Sequence, residues 1–138
     1  MIALKDDINQ VILDTKDINI NYVTDMDDNV ISWKYKLAEK DTILGNPITI
    51  TLPDKKMNGT KFTLQVYYST NKDSQGVQWI KPEHTFGKKY SVVYSQGQSI
   101  SVRSILPCQD LPLYKFTITA ALTLKRRIDA SNQERTDM

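Results

Sequence analysis

Apolar and polar residues alternate with period two over long stretches of this chain. Residues 47–53 set Ile48, Ile50 and Leu52 against Thr49 and Thr51. Residues 61–68 set Phe62, Leu64, Val66 and Tyr68 against Thr63, Gln65 and Tyr67. Residues 114–124 repeat the device, with Phe116, Ile118, Ala120, Leu122 and Leu124 on one side. Successive side chains of a β-strand point to opposite faces, so such runs predict half-buried strands. Further strands are predicted over residues 10–13, 18–23, 30–37, 76–80, 91–94 and 99–106.

Turn signals separate these runs at residues 25–29, 45–47, 54–59, 71–75 and 82–89. Asn58-Gly59 is the sharpest, because both residues tolerate positive φ. Asn58-Gly59-Thr60 also fits the glycosylation sequon, but no secretory leader accompanies it, so the turn reading is preferred. Short strands at regular spacing without an amphipathic helix predict an all-β fold, an antiparallel sandwich. Residues 1–124 form the expected domain. Residues 125–138 are polar and aperiodic and are expected to be a disordered tail.

Composition narrows the chemistry. With 138 residues, 40% apolar and 25% charged, the chain can bury one real core. A net charge of +2, with the cations scattered among Asp and Glu, argues against nucleic acid as a partner. Apolar runs are too short to span a membrane. The single cysteine, Cys108, makes no internal disulfide, and cytosol is the default compartment. His84 is the sole histidine, so an H-E-x-x-H zinc helix cannot be built from this chain. No G-x-S-x-G elbow and no Gly-rich phosphate loop is present, and self-contained catalysis is not expected.

Residues 94–110 carry the candidate chemistry. Gln96 and Gln98 stand two apart in a stretch that reads as strand, a spacing that puts both amides on one face. Such a pair beside Gly97 can hold a polar ligand, and Gly97 lets a ligand or facing domain come close. Equally, strand glutamines satisfy backbone groups, and a glycine there can mark a bulge. Asp110 is expected to be a turn carboxylate taking backbone N–H groups, and Arg103 an internal ion-pair partner. Cys108 is expected to be a buried structural thiol, His84 a surface-loop residue, and Trp33 and Trp79 fillers of core or interface pockets. Lys125-Arg126-Arg127 reads as a solvated terminus.

The segments 11–18, 78–84, 87–89, 94–98 and 103–110 stand in an order that resembles the leukotriene A(4) hydrolase and aminopeptidase B branch of the zinc aminopeptidases. The Q-G-Q form of residues 96–98 is nearer aminopeptidase B, and I-L-P-C-Q-D over 105–110 is nearer the hydrolase. The resemblance covers roughly residues 3–124 and falls in that family's N-terminal β domain. It implies a saddle-like β domain over a separate zinc-bearing catalytic domain. It also implies that Gln98 helps hold the free α-amine of a peptide substrate, with Gln96 bordering the same pocket. Nothing here matches the family's G-x-M-E-N loop, its H-E-x-x-H or its downstream Glu. The expectation is therefore a fragment without a metal of its own, incomplete at its N-terminal edge, whose implied partners are a peptide N-terminus and the absent catalytic domain. An unpaired edge would invite self-association. A non-catalytic sandwich that binds another protein is the rival reading. A secreted adhesion-type sandwich is weaker, for want of a leader and paired cysteines.

Overall fold

β4 (Ile48–Lys56) is the central strand of a three-stranded antiparallel sheet. β1 (Ile8–Leu13) pairs with it on one side and β3 (Trp33–Tyr35) on the other. A central strand is paired along both edges; Ile48, Ile50 and Leu52 are buried on one face, while on the other Thr49 is buried and Thr51 exposed. A second antiparallel sheet joins β2 (Ile18–Thr24) to β5 (Gln65–Thr70). A third joins β6 (Val77–Ile80) to β7 (Val92–Ser95). The computed structural model describes residues 1–36, 43–121 and 123. The expected polar tail over 125–138, with its basic run, lies outside the described residues.

One apolar cluster joins the first two sheets. Val11 and Leu13 of β1 and Ile48, Ile50 and Leu52 of β4 meet Ile18, Ile20 and Val23 of β2. Phe62, Leu64 and Val66 close one side, as their alternation predicts, and Trp33 and Tyr35 pack against the cluster from β3. The arrangement is an antiparallel β-sandwich, as expected. Inward positions along β2 change parity, from Ile18 and Ile20 to Val23. A bulge between Ile20 and Tyr22 explains this, since one extra residue flips every later side chain. The Asn58-Gly59 turn forms as predicted and is closed by the Thr60 N–H to the Met57 carbonyl at 3.0 Å. Beside it, the Ala3 N–H reaches the Thr60 carbonyl at 2.9 Å and the Phe62 N–H reaches that of Met1 at 3.0 Å.

Two predicted strands are not strands. Residues 99–106 fold into turns around a 3₁₀ segment, Val102–Ser104, in which Arg103 and Ser104 are buried. Alternation failed there because buried positions follow contacts with distant residues rather than a pleat. Of the strand predicted over 114–124, residues 122 and 124 lie outside the described residues; 114–121 carry no ladder, and Tyr114, Phe116 and Ile118 are exposed. A strand requires a neighbour for its backbone groups, and among the described residues this segment has none in sheet pairing. The predicted strand over 30–37 shortens to β3, with one bridge from Val30 to Thr24. Trp79 does not fill a core pocket. It is 64% exposed on the β6–β7 ribbon.

Ile50 is fully buried at the centre of the cluster. Ile50→Ala should lower unfolding free energy by about 2–5 kcal/mol, the usual cost of such truncations. Urea melts that show a loss below about 1 kcal/mol would contradict this placement of the core.

Candidate functional site

β7 ends at Ser95, and the chain then leaves the sheet. Gln96 follows the strand and Gln98 sits in a turn, so the two amides do not share a strand face. The shared strand face expected from their spacing is not formed, because the strand stops before either residue. Both side chains are nevertheless exposed, and no described residue hydrogen-bonds to either amide. Their backbone, by contrast, is held. The Gln96 N–H donates to the Gly76 carbonyl at 3.0 Å, and the Ser101 N–H donates to the Gly97 carbonyl at 3.0 Å. The room beside Gly97 is taken by Val102, whose Cγ2 would lie 2.6 Å from any added Cβ. The absence of a side chain there serves a close approach within the chain.

Beneath this loop lies a buried polar cluster. Arg103 is 5% exposed, and its guanidinium reaches three acceptors at hydrogen-bond distance. Its Nε donates to Asp110 Oδ2 at 2.9 Å, its Nη1 to the Leu44 carbonyl at 2.9 Å and its Nη2 to the Asp110 carbonyl at 3.0 Å. Asp14 Oδ1 lies 3.8 Å from Nη1. Asp14 Oδ2 in turn accepts the Asp110 N–H at 3.0 Å. The ion-pair role expected for Arg103 is thus observed. Asp110 takes that guanidinium as its partner, in place of the backbone N–H groups of a turn. Sequence reasoning missed Asp14 altogether. It stands 96 positions from Asp110, and an ordinary strand-end Asp carries no signal of such a partner.

Cys108 is buried and free, as expected. Its backbone exchanges hydrogen bonds with Asp14, which ties the 103–110 segment to the end of β1. Burial, and then the charges of Asp110 and Asp14, push its thiol up to about 11. Such a thiol stays protonated and poorly nucleophilic near neutral pH. His84 is exposed in the 3₁₀ segment Pro82–His84, as expected of a loop residue. Among the described residues, no three His, Cys, Asp or Glu side chains converge on a point that could hold a metal ion. The described groups do not fit a zinc centre. Also among the described residues, no helix is long and apolar enough to cross a membrane.

An all-β sandwich bearing an exposed polar loop on a buried ionic support is the class of domain that fold and site define together. Its residues 1–138 match the model of the peptidase M1 N-terminal domain, and the chain belongs to that family. It is 33% identical over 128 residues to leukotriene A-4 hydrolase of Xenopus laevis, covering 93% of this chain and 20% of that protein. It is 36% identical over 97 residues to leucine aminopeptidase 2 of Yarrowia lipolytica, covering 70% of this chain and 15% of the relative. Among solved structures, native leukotriene A4 hydrolase of Saccharomyces cerevisiae superposes with a TM-score of 0.65 at 27% identity, over 76% of this chain and 16% of the other. The chain thus spans about a fifth or less of the length of these relatives.

Two outcomes test the cluster. Arg103→Ala leaves two carboxylates without their cation and should cost about 3–5 kcal/mol, as broken buried pairs do, with Arg103→Lys recovering little of the loss because an ammonium cannot fork. A loss below about 1 kcal/mol in chemical denaturation would overturn it. The pH dependence follows from Cys108. Its folded value near 11 lies above the ordinary 9.0, so the unfolded chain gives up its proton first as pH rises. Stability should hold below pH 9 and fall between 9 and 11. Burial also raises the Tyr68 hydroxyl, so the wild type must be compared with Cys108→Ala, whose melts should lose less across that window.

Proposed function

We propose that this chain is the substrate-side N-terminal domain of a leukotriene A-4 hydrolase-like zinc aminopeptidase. In this reading Gln98 accepts a hydrogen bond from the free α-amine of a peptide, Gln96 borders the same polar pocket, and Gly97 shapes the turn between them. An ammonium needs acceptors, and an amide oxygen supplies one without adding charge. The observation that carries the reading is the contrast within one loop. The Gln96 and Gln98 side chains are exposed and unengaged by described residues, while their backbone is tied down by Gly76 and Ser101. A side chain kept free on a fixed backbone is suited to a ligand from outside.

Zinc and bond cleavage belong, in this proposal, to a separate catalytic domain. There a metal would polarise the scissile carbonyl and activate water, so that the whole enzyme removes N-terminal residues. Epoxide hydrolysis is a further activity that the whole relative could carry. In this proposal the domain comprises residues 1–124. A buried lone thiol suits a reducing compartment, the cytosol. The apolar surface exposed at Trp79, at Phe86 and at Phe116 and Ile118 suits a docked domain. The same surface favours the rival, a non-catalytic protein-binding module.

Complementation separates them. The chain alone should hydrolyse no aminoacyl reporter, with or without zinc. Mixed with a leukotriene A-4 hydrolase catalytic domain lacking its own N-terminal domain, it should restore turnover. In that complex Gln98→Ala should raise KM about tenfold or more, the worth of a hydrogen bond to a charged group. Restored turnover with an unchanged KM in Gln98→Ala would overturn the amine-binding role. Binding of the catalytic domain without any gain in turnover would favour the rival.

A further inference from the structure

Ser104 is fully buried, and its hydroxyl joins the start of β6 to the 101–104 turn. Its Oγ accepts the Gly76 N–H at 2.8 Å and donates to the Ser101 carbonyl at 2.7 Å. Its own carbonyl accepts the Ser74 hydroxyl at 2.7 Å. Two of these contacts lead on to the glutamine loop. Gly76 holds the Gln96 N–H through its carbonyl, and Ser101 holds the Gly97 carbonyl through its N–H. The hydroxyl therefore stands one residue from both backbone anchors of the segment that carries Gln96 and Gln98.

The junction has no slack. A Cβ on Gly76 would lie 2.5 Å from Ile105 Cγ1, 2.6 Å from the Ser101 carbonyl oxygen and 2.7 Å from Ser104 Oγ. Only a residue without a side chain lets the start of β6 approach the 101–105 turn this closely. A hydroxyl is suited to the space because it both donates and accepts; alanine would take this partner from the buried Gly76 N–H, while the Ser101 carbonyl would keep only the Ser104 N–H at 3.0 Å. The segment below is fixed independently, since the Lys16 N–H donates to the Arg103 carbonyl at 2.9 Å. Ser104 is thus mounted on a fixed base and faces a loop whose own side chains are free.

We propose that Ser104 is the positioning residue of the Gln96–Gln98 loop, setting the backbone from which both amides reach a ligand. Its bearing on catalysis rests on the amine-binding reading of Gln98, and its effect on the loop does not. It touches no substrate and acts through Gly76 and Ser101.

The test pairs a local readout with a kinetic one. Amide hydrogen exchange is measured residue by residue in the full chain for wild type, Ser104→Ala and Ile50→Val, the last a core change far from the loop. Ser104→Ala should speed exchange at Gly76, Gln96 and Ser101 about tenfold or more relative to Val11 and Ile50 in the β1–β4 pair. Ile50→Val should show no such preference for the loop. A uniform rise across all protected amides in Ser104→Ala, or none at the loop, overturns the proposal. In the complemented enzyme Ser104→Ala should raise KM about three- to tenfold and change kcat less than twofold. Equal losses in kcat, or a KM unmoved while Gln98→Ala raises it, would overturn the link to catalysis. If Gln98→Ala itself leaves KM unchanged, the amine-binding reading falls, and the exchange data still decide on Ser104.

Discussion

A guanidinium removed from water must have its donors placed, because an unmatched buried cation costs several kcal/mol. Arg103 meets that condition with the Asp110 side chain, the Asp110 carbonyl and the Leu44 carbonyl. Asp110 is seven residues away and Leu44 fifty-nine, and Asp14 at the end of β1 joins them through the Asp110 N–H. The consequence is positional. The 101–110 segment, which has no sheet of its own, is held against the sandwich by polar contacts rather than by apolar burial. The loop at 96–98 and the start of β6 are then built on it.

This division of labour runs through the molecule. The sandwich between β1, β4 and β2 is an ordinary apolar core, centred on Ile48, Ile50 and Val23. Beyond it, the β6–β7 ribbon and the 111–121 segment keep large apolar side chains in water, Trp79 and Phe116 among them. Surfaces of this kind are usually covered by another protein surface.

Much of the sandwich was legible in the sequence, and the reason is local. Around Ile48–Leu52 and Phe62–Val66, apolar spacing of two survives because both faces of a strand sense different media. The Asn58-Gly59 turn was legible because its chemistry is carried by the two residues that make it. Residues 114–121 show the limit of the same rule. The alternation is present, yet no ladder forms, since a pattern states which face is apolar and not which neighbour will pair with it. At 99–106 the failure has another source, for Arg103 and Ser104 are buried by polar contacts that hydropathy does not record.

The sequence by itself determined the all-β class, the family, the structural nature of Cys108 and the two glutamines worth attention. Each of these resides in residue type or short spacing. Only the tertiary structure decided that Gln96 and Gln98 lie beyond the end of β7, exposed on a tethered turn, and that Asp14, Arg103 and Asp110 share one buried cluster. Those facts depend on chain segments that meet across dozens of positions, where the free energy of desolvating charge, rather than any local preference, selects the partner.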